Sequence, residues 1–508
     1  MKKKHLGIVI LAIMLCVVFT ACAGNSTNPP PASNSSNNSS SGTTDNAAAS
    51  PEHIKILLFG DESPRMKELM SDFNKTTEKE INVTFEIQYM PWSAYGPGQQ
   101  IDLMIAAGQD FDATLTDSSW VASLVAKQGL ADVTDVFNQE MGDYKQNINP
   151  DAFKPFSIGG KLYALPIGNK PMADTFQSLC VRQDLLKEAG MADLKTLDDV
   201  DKFVTACKAK HPEMYALGGA DYQLQYFALR GMSNRNVMPF MGDYFLVDED
   251  NGKLLASYDS EEFKTHVDLL NKWYKEDLIS KDILTSTTAN VDLFTSGQTM
   301  LFRGTSLTTK IENEPALKAN IPTADTAEYQ LNPTKPKFKN QFYNTAFMVP
   351  AYSKKAASVA KFVNLLQKNS EYVNLFTYGI EGTDYTLTDN KIDRKITDEL
   401  FPQWMTFNIK ISSFEKSYPD SFITAYKVWD DGAITSKAYG FSPDFTNVSS
   451  ERAKIDSVWA EDAVPMLAGV VSYDSGIKKL TDDLKAAGWD TFQAEMEKQF
   501  EAFRATQN

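Results

Sequence analysis

The chain has 508 residues, 43% of them hydrophobic and 11% aromatic, a composition that fits a well-packed globular protein. Residues 53–508 are too many for one small core, so two lobes or more are expected. The formal net charge of −16 argues against nucleic acid as a partner, since a polyanion would be repelled.

The chain opens with a basic stretch, Lys2, Lys3 and Lys4, and then runs apolar from Leu6 to Phe19 apart from Gly7. As a helix that run spans about 21 Å, short of the roughly 30 Å hydrocarbon core. Residues 1–21 therefore read as a cleaved signal peptide rather than a membrane span. The run ends in Phe19-Thr20-Ala21-Cys22, which resembles the bacterial lipobox, where small residues precede a cysteine that is lipidated and becomes the first residue of the mature protein. Phe19 departs from that pattern, in which Leu is usual. Residues 23–50 are almost only Ala, Gly, Ser, Thr, Asn and Pro, with Asp45 the sole charge. Such a segment cannot bury enough apolar surface to offset its ordering entropy. Residues 22–52 are thus expected to be a lipid anchor and disordered linker, holding a large domain on the extracellular face of the cell membrane. No second apolar run approaches membrane length.

The globular part begins with a buried strand over Ile54–Gly60. Ser63-Pro64 starts a helix that carries Met66, Leu69, Met70 and Phe73 on one face. Ile81 to Tyr89 alternates as a second strand, residues 99–107 form a helix, and Phe111–Leu115 is a short strand. The polar loop Asp117-Ser118-Ser119-Trp120 and another helix follow. This alternation predicts a mainly parallel sheet with covered faces. Ligands of such sheets bind beyond the carboxyl ends of the strands, so the loops at Gly60-Asp61-Glu62 and Asp117–Trp120 should share one rim. A second α/β section spans about 176–340. Within it, residues 244–258 read as a β-hairpin with Asn251-Gly252 at the turn. The acidic stretch Asp248-Glu249-Asp250 fails as a calcium loop, because aligning Gly252 with the loop glycine puts Val247 at the first ligand position. From 395 the chain reads as mainly helical, ending in an amphipathic helix with Phe492, Met496, Phe500 and Phe503 on one side.

Positive signs of catalysis are missing. His211 and His266 read as structural or solvated, and there is no HExxH, paired CxxC, GxSxG, P-loop or GxGxxG. No catalytic residue, metal site or cofactor is expected. Cys180 and Cys207 are able to form a disulfide outside the cell, but both read as small buried apolar side chains.

Several segments, in order, resemble the extracellular solute-binding proteins of ABC-type carbohydrate importers. Gly160-Lys161-Leu162-Tyr163-Ala164-Leu165-Pro166 is similar to a G-K-x-Y-A-x-P motif. Phe294-Thr295-Ser296-Gly297-Gln298-Thr299-Met300 resembles F-x-x-G-x-A-M, with Thr299 replacing Ala. Tyr343–Pro350 and the helix to Leu366 resemble the return crossing. Tyr378-Gly379-Ile380-Glu381-Gly382-Thr383-Asp384-Tyr385 resembles the Y-G-x-E-G-x-x-Y of a large Gram-positive branch associated with oligosaccharides. The resemblance implies a two-lobed α/β fold of the periplasmic-binding-protein type (type II), with a central ligand cleft and a helical C-terminal portion. Lobe one would be 53–172 plus 342–400, and lobe two 175–340 plus 401–508, with hinges near 168–176 and 340–346. It further implies a monomer that delivers an oligosaccharide to the transmembrane subunits of an ABC permease.

A sugar offers apolar C–H faces and a ring of hydroxyls, so its site needs aromatic platforms and planar polar groups in a cleft that excludes water. Trp120 and Trp92 are candidate platforms. Asp61, Glu62, Asp117, Ser118 and Ser119 are candidate hydroxyl partners on the expected rim, and Asn169 and Lys170 follow into the hinge. In the second section, Tyr222, Gln223, Arg303 and Ser306 are candidates, Arg303 being suited to a uronic acid. Trp404 and Tyr439 are weaker, with core packing the alternative. Two other functions fit the sequence: a secreted polysaccharide-degrading enzyme, and a sensory module passing ligand state to a histidine kinase. A peptide or other solute is the alternative ligand.

Overall fold

The computed structural model describes residues 50–507 except 61, 63–64, 92–98, 117, 175–176, 220–229, 242–243, 305–307, 341–344, 397–400 and 402, and the side chains of Gln99, Ser119 and Trp404. The leader and Cys22 lie outside the described residues, as do Asp61, Trp92, Asp117, Tyr222, Gln223 and Ser306.

The first sheet runs in the order Val83–Met90, Glu52–Phe59, Ala113–Thr116, Ala346–Met348, Ala164–Pro166. Its first three strands are parallel, and Ala346–Met348 is antiparallel to both its neighbours. Ile54 and Ile56 through Phe59 are all buried, the continuous apolar reading of a strand covered on both faces. Helix Met66–Ile81 covers one face with Met66, Leu69 and Phe73. The Phe73 ring meets Phe85 and Phe376 edge-on at centroid distances of 5.1 and 4.8 Å, a geometry favoured by the ring quadrupoles.

A second, three-stranded sheet has Ser178–Arg182 at its centre, flanked by Leu301–Gly304 and Thr326–Tyr329, both antiparallel to it. The expected hairpin is present: Phe245–Asp248 pairs antiparallel with Lys253–Ala256. Gly252 takes φ +63 in the turn. The Asp248 carboxylate accepts the Asp250 and Asn251 amides, so the acidic stretch is a self-satisfied turn. Cys180 and Cys207 are free and buried, as their apolar settings predicted. No helix among the described residues is long and apolar enough to cross a membrane.

The apolar interior divides accordingly. One core gathers side chains from Ile54 to Ile167 and from Ala346 to Met405. A second gathers Leu179 to Leu331 with Ala468. A third joins the hairpin and helix Glu261–Lys275 to the C-terminal helices, which include Trp489–Ala505 with Phe492, Met496 and Phe500 buried. Phe401 and Met405 belong to the first core, so the first body continues past residue 400, where the sequence reading ended it. The region after 395 is also less uniformly helical than expected: the short strands Phe414–Glu415 and Ile434–Thr435 precede the helices that begin at Ser449.

The chain therefore passes between bodies three times: between Ile167 and Leu179, between Leu331 and Ala346, and between Tyr426 and Ala438. These crossings lie side by side. Ala173 bridges Lys339, and Phe338–Lys339 pairs with Ile434–Thr435. Asp430 accepts the Met172 and Ala173 amides at 3.0 and 2.9 Å, and the Trp429 indole donates to the Ala173 carbonyl. A buried ion pair joins them, Arg230 Nη1 to Asp174 Oδ2 at 2.6 Å. Arg230 also donates to the carbonyls of Leu331, Asn332, Lys335 and Pro336.

Candidate functional site

The register of the first sheet brings its loops together. Ala346 stands opposite both Thr116 and Pro166, so the carboxyl ends of Ala113–Thr116 and Ala164–Pro166 share an edge. Gly60 donates to the Met90 carbonyl at that same edge. The expected rim is thus present, with Glu62 exposed on it. Ser118 is buried, and its carbonyl accepts Ser442 Oγ at 2.8 Å.

Trp120 and Asn169 hold different roles from those expected. Trp120 packs into the first core from the head of helix Ser118–Ala126, with 9% of its surface accessible. An indole so placed serves as core before it serves as a stacking platform. The Asn169 amide is committed to the Asn147 carbonyl at 3.1 Å. Its backbone takes the Phe407 carbonyl and gives to the Ile409 amide, which seats the first crossing against residues 407–409. Gly168 allows that approach: at φ +76, a Cβ there would lie 2.7 Å from the Met405 carbonyl oxygen. Trp404 sits in helix Gln403–Thr406. Tyr439 is buried with its hydroxyl on the Met172 sulfur, which is packing. Arg303 lies in Leu301–Gly304 opposite Leu179, half-buried and engaged in contacts of its own.

Lys170 is the expected residue with the most distinctive setting. It lines a pocket of about 420 Å³ with Ile167, Gly168, Met172, Thr345 and Phe407, and is the charged residue of that lining. Burial pushes its ammonium down to about 8, opposed by the field of Glu312. Glu312 belongs to helix Thr308–Asn320, which follows Leu301–Gly304 at the edge of the second sheet. It is solvent-exposed by surface area, yet enclosing protein raises its carboxyl above the ordinary range, partly offset by the Thr308 hydroxyl and Lys170. A side chain that is wet in contact but enclosed at longer range lines a cleft. Nearby, Phe407, Phe414, Tyr418 and Tyr426 form a small aromatic cluster that takes in Ile311 from the same helix. The two bodies therefore face each other across a cleft with Lys170 on one side, Glu312 on the other and aromatic rings beside them. Neutral hydroxyls, planar polar groups and ring faces are the chemistry such a cleft offers a sugar.

Sequence reading missed Glu312, the aromatic cluster and Asp430. Glu312 reads as an ordinary helix-surface charge, and Asp430 as part of a polar turn, Trp429-Asp430-Asp431-Gly432. The Tyr378–Tyr385 motif proves to be a folding device: Asp384 is buried, accepts the Ile380 amide, and pairs with Arg65 at 2.8 Å. A Cβ at Gly379 would lie 2.2 Å from the Asp384 carboxylate. Among the described residues, no group of three or more His, Cys, Asp or Glu is placed to hold a metal ion.

Comparison with known proteins gives a consistent picture. The bacterial extracellular solute-binding protein family matches residues 60–372, and a domain of unknown function, DUF3502, matches residues 437–505. The latter begins directly after the third crossing. A protein of Streptococcus pneumoniae serotype 4 described as a carbohydrate ABC transporter substrate-binding protein is 26% identical over 471 residues, covering 89% of this chain and 90% of that protein. Lipoprotein LipO of Bacillus subtilis is 26% identical over 363 residues, covering 68% of this chain and 69% of LipO. The crystal structure of the N-glycan transport solute-binding protein NgtS from Streptococcus pneumoniae superposes with a TM-score of 0.76 at 23% identity, covering 90% of this chain and 100% of that one. NgtS has also been crystallised with Man5GlcNAc.

Proposed function

We propose, from the premise that the chain belongs to the bacterial extracellular solute-binding protein family, that it captures an oligosaccharide between its two bodies and delivers it to an ABC permease. The observation that carries this reading is the cleft itself. Three crossing segments lie side by side beneath it, and Lys170 and Glu312 face it from opposite bodies. A carbohydrate ABC transporter substrate-binding protein among its relatives, and a glycan complex of a structural neighbour, support the ligand class. Lipidation at Cys22 would hold the receptor at the outer face of the membrane, and the lipoprotein relative supports that placement.

The bodies are proposed as residues 53–170 with 345–426, and 178–340 with 438–507. Closure about the crossings would convert binding into a shape the permease recognises. No step of this function alters the sugar. A thermal-shift screen of the purified protein against oligosaccharides tests it. A bound oligosaccharide at a hundred times its dissociation constant adds about 2.7 kcal/mol by mass action, so a clear rise in melting temperature is expected. A flat response across neutral and acidic oligosaccharides would remove the ligand assignment.

A further inference from the structure

We propose that the cleft selects uncharged oligosaccharides and discriminates against those carrying uronic or sialic acids. This inference rests on the oligosaccharide reading above and deepens it. A site for anionic sugars needs cations that are available to pair with them, as Arg does with carboxylates in bidentate geometry. Lys170 is the cation that lines the pocket at the first crossing. Glu312 faces it, and is the charge that acts on it most. The pair is close to neutral before any ligand arrives.

Around that pair the balance is acidic. The charged groups acting on the Tyr426 phenol, beside Tyr418, are Glu312, Asp430 and Glu328. Those acting on Tyr418 are Glu312 and Glu415. Other nearby cations are already matched: Lys310 reaches Glu314 and Asp325 at 3.4 and 3.9 Å, and Arg394 reaches Glu415 at 3.4 Å. Lys337 lies 4.2 Å over the Trp429 ring. Arg303, the residue suited to a uronic acid, is engaged. Within residues 50–507, the segments outside the described set contain no Lys or Arg, so they add no cation to the cleft. An anionic sugar would bring a further negative charge into this setting, and like-charge juxtaposition at a desolvated interface is strongly disfavoured.

The test is a glycan array carrying neutral oligosaccharides beside uronic- and sialic-acid-bearing ones, probed with the full chain. Neutral glycans should hold the strongest signals, with acidic ones at least tenfold weaker. An acidic glycan among the strongest binders would overturn the inference and leave the oligosaccharide reading standing. Binding to no glycan would overturn both. As a second arm, Glu312→Gln leaves Lys170 unopposed and should raise the signal of acidic glycans relative to neutral ones by about tenfold. Lys170→Met should produce no such gain. A gain in Lys170→Met, or none in a folded Glu312→Gln, would also count against the proposal.

Discussion

Replacing Arg230 with methionine is expected to destabilise the protein by about 3–5 kcal/mol near neutral pH. Arg230 is 5% exposed and Asp174 1% exposed. Removing the guanidinium leaves a buried carboxylate without its counter-charge and takes a donor from the carbonyls of Leu331, Asn332, Lys335 and Pro336. The pH dependence has a definite sign. Burial already raises the Asp174 carboxyl above its ordinary value of 3.8, with Arg230 the foremost opposing influence. A carboxyl raised in the folded state binds its proton more tightly there, so its contribution to stability falls as pH rises through the folded pKa. Loss of Arg230 raises that pKa further. The deficit of Arg230→Met should therefore be largest near pH 7 and shrink as the pH falls toward about 5. Urea unfolding at a series of pH values reads this directly, and a deficit independent of pH would show that Asp174 does not carry the effect. Because the pair joins two crossings, the same variant should also weaken ligand binding.

The second large effect is acid destabilisation through His266. This imidazole is 2% exposed on helix Glu261–Lys275, and its Nε2 lies 3.1 Å from the Leu467 carbonyl. Burial pushes it down to about 4 from an ordinary 6.5. The unfolded chain thus binds a proton that the folded chain refuses. Stability from this group is complete above about 6.5 and is lost progressively as pH falls toward 4, by about 3 kcal/mol in all. His266→Gln retains an amide donor for Leu467 but cannot take up the proton. The stability of this variant should change less between pH 6.5 and 4 than that of the parent, as read by unfolding midpoints. Parallel curves would contradict the assignment. The contact matters because it fastens the C-terminal helices to the second body, together with Asn271, whose amide donates to the Gly469 carbonyl at 2.9 Å.

Much of the fold was legible because it follows from periodicity. The apolar run at Ile54–Phe59, the helix face of Met66, Leu69 and Phe73, and the polar loops after each strand placed a rim before any coordinates did. Asn251-Gly252 announced its hairpin, and the i, i+4 spacing of Phe492, Met496 and Phe500 announced the last helix. The crossings were harder. Ile434–Thr435 is two residues long and carries no pattern, while Arg230 and Asp174 are 56 residues apart. Only tertiary structure brings such pieces together. The second sheet proved antiparallel because its central strand pairs with two returning strands, an arrangement that strand–helix alternation alone does not encode.

The candidate site was legible in outline and misread in detail. Trp120 has the same local sequence whether it stacks on a sugar or fills a core, and burial decides for the core. Asn169 has the right chemistry for a hydroxyl, but its amide is used to seat the crossing. Lys170 kept its place because it alone of the expected pair faces open space. Glu312 was passed over, since a glutamate on a helix surface is ordinarily solvated. Its enclosure comes from the opposite body, about which the local sequence says nothing.

The most direct measurement is a crystal structure with the oligosaccharide that gives the largest thermal shift. The ligand is predicted to lie between the rim of the first sheet and the start of helix Thr308–Asn320, within contact of Lys170 and Glu312 and beside Phe407. A sugar bound away from the crossings, with this cleft empty, would contradict the account.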